Sequence, residues 1–300
     1  MDINIQIANR AEHINKILQK YLPEEEGYQR TIFEAMNYSV KVGGKRLRPM
    51  LMQATYQMFG GKDAIIEPFM AAIEFIHTYS LVHDDLPAMD NDDYRRGKET
   101  THKVYGEAMG ILAGDALLNF AYETAAKAFD IRCDERTGQA YKVLTGKAGV
   151  YGMVGGQVVD VESEKSDEEE KKNITRDKLD FIYKLKTSAL IESSMMIGAI
   201  LAGAAEEEVS KVELIAQKLG LAFQIQDDIL DVTGTMEELG KPIGSDEKNH
   251  KATYVTFEGL EKASEDVKRL SNEACDMLDG LNKDSKFLHE LFIYLVDRNK

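Results

Sequence analysis

Apolar residues recur at three- and four-residue intervals along almost the whole chain, and period-two alternation is scarce. In 31–42, Ile32, Phe33, Met36 and Val40 fall at helical spacing. Pro49 sits where proline is tolerated, in a first helical turn, and the helix continues through 51–59. The segment 65–82 is apolar on most faces, and 108–129 is rich in alanine and leucine. Helical patterns follow at 137–152, 179–204 and 207–230, with two shorter ones at 261–278 and 285–299. These patterns predict an all-α bundle of about ten or more helices. Several are apolar all round and belong at its centre.

Composition narrows the picture. The chain has 300 residues, 43% of them hydrophobic, with five prolines and no Pro/Gly/Ser-rich linker, so a single domain over 1–300 is expected. A net charge of -15 argues against a nucleic-acid partner, which needs a basic surface. Cys133 and Cys275 make neither a disulfide framework nor a metal-binding pair. That cysteine usage leads to the expectation of a reducing, cytoplasmic setting, and the polar N-terminus does not resemble a signal peptide. The longest uncharged stretch, 193–205, falls short of the roughly 20 residues of a membrane span, which predicts a soluble protein. The charge run 162–173 reads as a solvated loop.

Two aspartate clusters carry the candidate chemistry. Asp227 and Asp231 are four residues apart and share a helix face, with Asp228 one residue round. Their neighbours Leu221, Phe223, Ile225, Ile229 and Leu230 are apolar, so the carboxylates sit on an otherwise buried helix. Like charges placed there call for a cation. Magnesium suits them, because it takes one or two carboxylates and fills its other positions with water and phosphate. An acidic helix end that binds nothing is the alternative. In the first cluster Asp84 and Asp90 are six apart, about 240° on a straight helix. Pro87 lies between them, so the backbone must leave the helix if the two are to converge. Asn91, Asp92 and Asp93 extend the acidic run, and Arg95-Arg96 follow at once. Acids followed by paired arginines suit a metal-bridged polyphosphate.

Basic residues complete the set. Gly43-Gly44-Lys45-Arg46-Leu47-Arg48-Pro49 joins two helices and puts three bases in four residues beside glycines. His77 lies two turns before Asp84. Lys186-Thr187 interrupts an apolar helix, and Lys241 and Lys251 flank a Gly/Asp-rich loop.

Together these segments resemble the trans-isoprenyl diphosphate synthases, the farnesyl and geranylgeranyl diphosphate synthase family. The resemblance rests on GGKRLRP at 43–49, IHTYSLVHDDLPAMDNDDYRRGKETTH at 76–102, ILAGDALL at 111–118, YKLKTSAL at 183–190, FQIQDDILD at 223–231 and GKPIGSD at 240–246. It implies the isoprenoid synthase fold with a deep central cavity, a homodimer, and head-to-tail condensation of an allylic diphosphate with isopentenyl diphosphate. By resemblance, Asp84, Asp85 and Asp90 would ligate magnesium from one wall and Asp227 and Asp231 from the other. Three ions are implied, with manganese as a substitute. Gly44, Lys45, Arg48, His77 and Arg96 would bind isopentenyl diphosphate. Arg95, Lys186, Lys241 and Lys251 would hold the allylic diphosphate, with Thr187 and Gln224 lining the cation; Arg95, Lys186, Thr187 and Gln224 are the catalytic candidates. Arg298 and Lys300 would help close the site. Asn249-His250-Lys251 departs from the family's usual Asp-Asn-Lys but keeps the lysine.

Tyr79 and Ser80 lie five and four residues before Asp84. A helical turn of about 5.4 Å is roughly an isoprene unit, so an aromatic at Tyr79 would floor the growing-chain pocket. With the Pro87-Ala88 insertion, which resembles the bacterial farnesyl type, the expected product is C15. The alternatives are a geranylgeranyl or other chain-length synthase and a non-catalytic partner subunit. The intact acid clusters argue against the subunit, and the basic loop with His77 argues against a terpene cyclase.

Overall fold

Residues 2–165, 175–233 and 253–296 are described by a computed structural model. In chain order the helices are α1 (Ile3–Tyr21), α2 (Arg30–Lys41), α3 (Leu47–Met58), α4 (Glu67–Asp84), α5 (Thr101–Tyr105), α6 (Glu107–Ala126), α7 (Ala128–Ile131), α8 (Glu135–Ala148) and α9 (Met153–Lys165). After them come α10 (Arg176–Ile182), α11 (Ala189–Ala202), α12 (Glu206–Thr233), α13 (Tyr254–Glu258), α14 (Leu260–Asp279) and α15 (Lys286–Val296). A single turn of π-helix, Tyr183–Ser188, joins α10 to α11 into one rod. Among the described residues the only sheet is a hairpin, β1 (Tyr94–Arg95) with β2 (Lys98–Glu99), which pairs Tyr94 with Glu99 and Arg95 with Lys98. The all-α expectation holds.

The apolar runs do what their patterns require. Phe69, Met70, Ala71, Ala72, Ile73, Phe75 and Ile76 of α4 are fully buried, so α4 is a central rod rather than a surface helix. It packs most extensively against α6, whose inward face is small: Gly110, Ala113, Gly114 and Ala121. Small residues let two helices approach closely and leave room for the larger side chains of α4. The second apolar rod, α11, buries Leu190, Met195, Ile197 and Ala199 against α3, α8 and α12. The 28-residue α12 runs about 42 Å, long enough to join the core at Val212 to the acids at its far end. There a smaller cluster of Ile182, Tyr183, Ile225, Ile229 and Tyr254 ties α10, α12 and α13 together.

Three expectations change. The helix expected over 137–152 stops at Ala148, where Gly149 is extended, and α9 starts afresh at Met153. That new helix covers the first residues of the charge run expected to be a loop; 166–173 lie outside the described residues. Two helical stretches, Ala64–Asp84 and Arg176–Ala202, are long and apolar enough to cross a membrane, unlike the single short stretch expected. Most of each is buried inside the fold, which makes them core helices.

Candidate active site

α4 ends at Asp84, and Asp85 caps it. The chain then folds back: Leu86 N–H donates to the His83 carbonyl at 3.1 Å, and Asp90 N–H donates to the Asp84 carbonyl at 2.8 Å. Asn91 takes a left-handed conformation, φ 55°, to complete the turn. The break expected at Pro87 is therefore the device that returns Asp90 to Asp84. Burial pushes the Asp84 carboxyl up to about 6; Lys186 and Arg95 oppose this, and Asp90 and Asp85 add to it. Asp85 is nearly fully buried and accepts from Arg95 Nε at 2.7 and 3.0 Å. Asp85 and Arg95 thus pair with one another, and neither is on the lining of the cavity described below.

The basic loop is held by contacts that the sequence alone did not reveal. Arg46, with φ 52°, donates to Asn15 Oδ1 at 2.9 Å, to Glu74 Oε1 at 2.7 Å and to the Val40 carbonyl at 2.7 Å. Glu74 on α4 is itself 2% exposed. Arg96, carried by the β-hairpin, donates to the Gly43 carbonyl. Gly44, φ 144°, must be glycine: a Cβ there would lie 2.5 Å from the Arg96 guanidinium. Burial lowers the Arg48 guanidinium to about 10; Glu74 opposes this, Arg96 adds to it, and Asp227 opposes it. Burial and then Arg48, Arg96, Arg95 and Arg46 hold His77 well below its ordinary value, so it is neutral. The structure brings Gly44, Arg48, His77 and Arg96 together as expected, with Lys45 exposed in the same loop.

On the opposite side, the π-turn carries Lys186 and Thr187. Such turns interrupt helices at functional sites. Lys186 pairs with Asp160 of α9, and Gln157 of α9 donates to Asp84 Oδ1 at 2.7 Å. A Cβ on Gly156 would lie 2.3 Å from the Lys186 backbone nitrogen, so the glycine sets how closely α9 approaches the turn. Gln157 and Asp160 were missed in the sequence, where Gly155-Gly156 reads as a breaker and hides the helix behind it.

Thr187 Oγ1 donates to Gln224 Oε1 at 2.7 Å, and Gln224 Nε2 donates to Asp228 Oδ1 at 3.2 Å. Asp228 also accepts from Tyr254 N–H at 2.8 Å and from the Tyr183 hydroxyl. Its acceptor sites are engaged in joining α12 to the π-turn and to α13. Asp231 is 3% exposed and Asp227 is partly exposed. Lys241, Lys251, Arg298 and Lys300 lie outside the described residues.

A cavity of about 680 Å³ opens between the end of α4, α9 and the π-turn, and its lining does not include Gln224, Asp227 or Asp231. Arg48, His77, Asp84, Gln157, Lys186 and Thr187 supply its polar lining, and Tyr79, Leu86, Met89, Ile111, Met153 and Val158 much of the apolar remainder. Ser80 also lines it, its hydroxyl turned back onto the His77 carbonyl at 2.9 Å. Among the described residues no three His, Cys, Asp or Glu groups are preassembled around a metal position. The raised Asp84 carboxyl, crowded by Asp85 and Asp90, fits a site that gains from a cation.

A family model described as polyprenyl synthetase matches residues 29–287. The chain is 45% identical over 285 residues to heterodimeric geranylgeranyl pyrophosphate synthase large subunit 1, chloroplastic, of Arabidopsis thaliana, covering 94% of this chain and 76% of that relative. It is similar to the crystal structure of an FPP/GFPP synthase from Zymomonas mobilis, with TM-score 0.86, 33% identity and 98% of each chain covered. It is also similar to a Helicobacter pylori geranyltransferase complexed with magnesium and isoprenyl diphosphate, with TM-score 0.83, 30% identity, and 99% of this chain and 97% of that one covered. The matched span holds both aspartate clusters, the basic loop and every residue of the cavity, and this chain belongs to the polyprenyl synthetase family of trans-isoprenyl diphosphate synthases.

Proposed function

We propose that the whole chain, 1–300, is one catalytic domain that condenses isopentenyl diphosphate with an allylic diphosphate, extending it head to tail and releasing diphosphate. The observation that carries this reading is that one cavity is lined by Asp84, Lys186, Arg48 and His77 together with an apolar wall. One end can hold a leaving diphosphate, the other a second diphosphate, and the wall can hold a hydrocarbon.

Product length has two readings. The first is geranylgeranyl diphosphate, C20, because the Arabidopsis relative named for that product is the more similar by identity. It replaces the C15 expected from the sequence as the leading reading. The second is farnesyl diphosphate, C15, favoured by Tyr79, which is 7% exposed and lines the cavity.

Asp84, Asp85 and Asp90 on one wall, and Asp227 and Asp231 on the other, would hold magnesium, with three ions and manganese as a substitute. Bound there, it supplies charge stabilisation to the departing diphosphate. Lys186 exchanges Asp160 for a diphosphate oxygen, and Arg95, Lys241 and Lys251 grip the remaining ones. The allylic C–O bond breaks as charge gathers on oxygens already facing fixed cations. Thr187 and Gln224 place their oxygens beside the allylic cation. Lys45, Arg48, Arg96 and the Gly44 backbone hold isopentenyl diphosphate so that its double bond meets that cation. Neutral His77 donates to the same diphosphate without adding to the repulsion among the arginines. A carbon–carbon bond forms, and the departing diphosphate takes the proton lost from the new chain. The apolar wall excludes water, which would otherwise quench the cation. Arg298 and Lys300 would close the mouth. A homodimer and a cytoplasmic location complete the reading.

The test incubates purified protein with isopentenyl diphosphate, dimethylallyl, geranyl or farnesyl diphosphate, and magnesium, and measures chain length. A C20 product supports the first reading and C15 the second. No condensation with any allylic substrate would favour a non-catalytic subunit.

A further inference from the structure

We infer that His83 is a positioning residue for product length, acting through Tyr79; this rests on the second reading above, in which Tyr79 floors the pocket of an elongating synthase. Both residues lie on α4 one turn apart, and both line the cavity. The His83 imidazole stands edge-on to the Tyr79 ring, with centroids 5.8 Å apart and planes at 86°. Edge-to-face pairs of this kind hold both rings in one orientation.

What holds His83 lies on a different helix. Its Nε2 is 2.9 Å from the Ile111 carbonyl of α6. A carbonyl only accepts, so Nε2 carries the proton and donates. The carboxylate of Asp115, one turn on, stands 3.8 Å from the same nitrogen. The imidazole lies directly on Gly114: a Cβ there would fall 2.0 Å from Nε2 and 2.2 Å from Cδ2. Gly114 is thus a seat cut into α6 for this ring. Ile111, whose carbonyl accepts the bond, also lines the cavity.

The consequence is a strut. Seat, imidazole and phenol connect the α6 backbone to the Tyr79 ring. A tyrosine ring in an apolar wall stops a chain only if it stays in one rotamer. The edge-on contact with His83 gives Tyr79 that constraint. Ser80 adds little bulk, since its hydroxyl bonds back to the His77 carbonyl.

The test is a double-mutant cycle on product length. Wild type, His83→Ala, Tyr79→Ala and the double variant are incubated with magnesium, isopentenyl diphosphate and geranyl diphosphate, and products are separated by chain length. His83→Ala should raise the ratio of longer to wild-type-length product roughly two- to tenfold, the factor an edge-to-face pair is worth. In the Tyr79→Ala background the same change should have no further effect. Total turnover does not enter, because the readout is a ratio. If His83→Ala does not fold, His83→Gln takes its place with the same expectation; its amide reaches the Ile111 carbonyl but brings no ring to Tyr79. An unchanged product length in the His83 variant overturns the inference. So does equal lengthening in both backgrounds, which would make His83 a wall residue in its own right. No condensation by the wild type would instead remove the elongation reading itself.

Discussion

The backbone N–H of Asp90 donates to the carbonyl of Asp84 at 2.8 Å. Six residues of sequence are folded there into one edge of the cavity, and two acids that a straight helix would turn away from each other become neighbours. Burial, with Asp90 and Asp85 adding to it, pushes the Asp84 carboxyl up to about 6.

Protons and magnesium should therefore compete at Asp84. A carboxyl raised from the ordinary value near 4 to about 6 resists ionisation in the folded state. Above pH 6 it is charged at a cost that a cation relieves; between about pH 6 and pH 4 the folded chain takes up the proton and the cost fades. The magnesium concentration for half-maximal activity should rise as pH falls through about 6. Asp84→Asn should raise the melting temperature of the metal-free protein at pH 8 and abolish the further rise produced by magnesium with diphosphate. Activity and thermal unfolding, each followed against pH and magnesium, check both statements.

Asp227 and Asp228 are neighbours with different tasks. Asp228 accepts from Gln224, Tyr254 and Tyr183, so Asp228→Ala removes a buried acceptor from three donors. Tyr183→Phe leaves the carboxylate short of one donor and should cost about 1–3 kcal/mol. Asp228→Ala should cost at least as much, whereas Asp227→Ala should lose condensation activity with stability nearly unchanged. Denaturant unfolding beside a product assay separates the two.

Glu74 anchors the basic loop through Arg46, and both side chains of the pair are 3% exposed. Removing one partner of a buried pair typically costs about 3–5 kcal/mol. Glu74→Ala should lower stability by that order. In the fraction that folds, the KM for isopentenyl diphosphate should rise more than that for the allylic substrate, because Arg46 sits in the loop with Lys45 and Arg48. Steady-state kinetics with each substrate varied in turn give the comparison.

Gly156 is a contact, not a hinge. Alanine there must push α9 away from the π-turn, since its Cβ would meet the Lys186 nitrogen at 2.3 Å. Overpacking of this kind costs about 1–3 kcal/mol. Gly156→Ala should lower kcat through misplaced Lys186 and Gln157, while Gly138→Ala, on open surface with nothing within 4 Å, should leave kcat unchanged.

Much of this was legible in the sequence, and the rest was hidden for identifiable reasons. The apolar periodicity of α3, α4 and α6 reports burial directly, and Pro87 announces the break that the first cluster needs. The acid clusters and GGKRLRP are short-range patterns, visible without tertiary information. Glu74 looked like one polar interruption in an apolar run, because its partner Arg46 lies 28 residues away. Gln157 and Asp160 were concealed by two glycines whose purpose is close approach to another helix. α1 escaped notice because only Ile14, Ile17 and Leu18 of its nineteen residues are fully buried. Product length is the least legible property, because a pocket wall is built from tertiary contacts: His83, which stands edge-on to Tyr79, is itself seated on Ile111 and Gly114 of another helix.

The most direct measurement follows product from isopentenyl diphosphate and an allylic diphosphate in magnesium, with the wild type beside Asp84→Ala and Asp227→Ala. The wild type should give a prenyl diphosphate extended by five-carbon units, C20 on the leading reading and C15 on the second, and either variant almost none. Absence of any extended product from the wild type, or full activity in both variants, would contradict it.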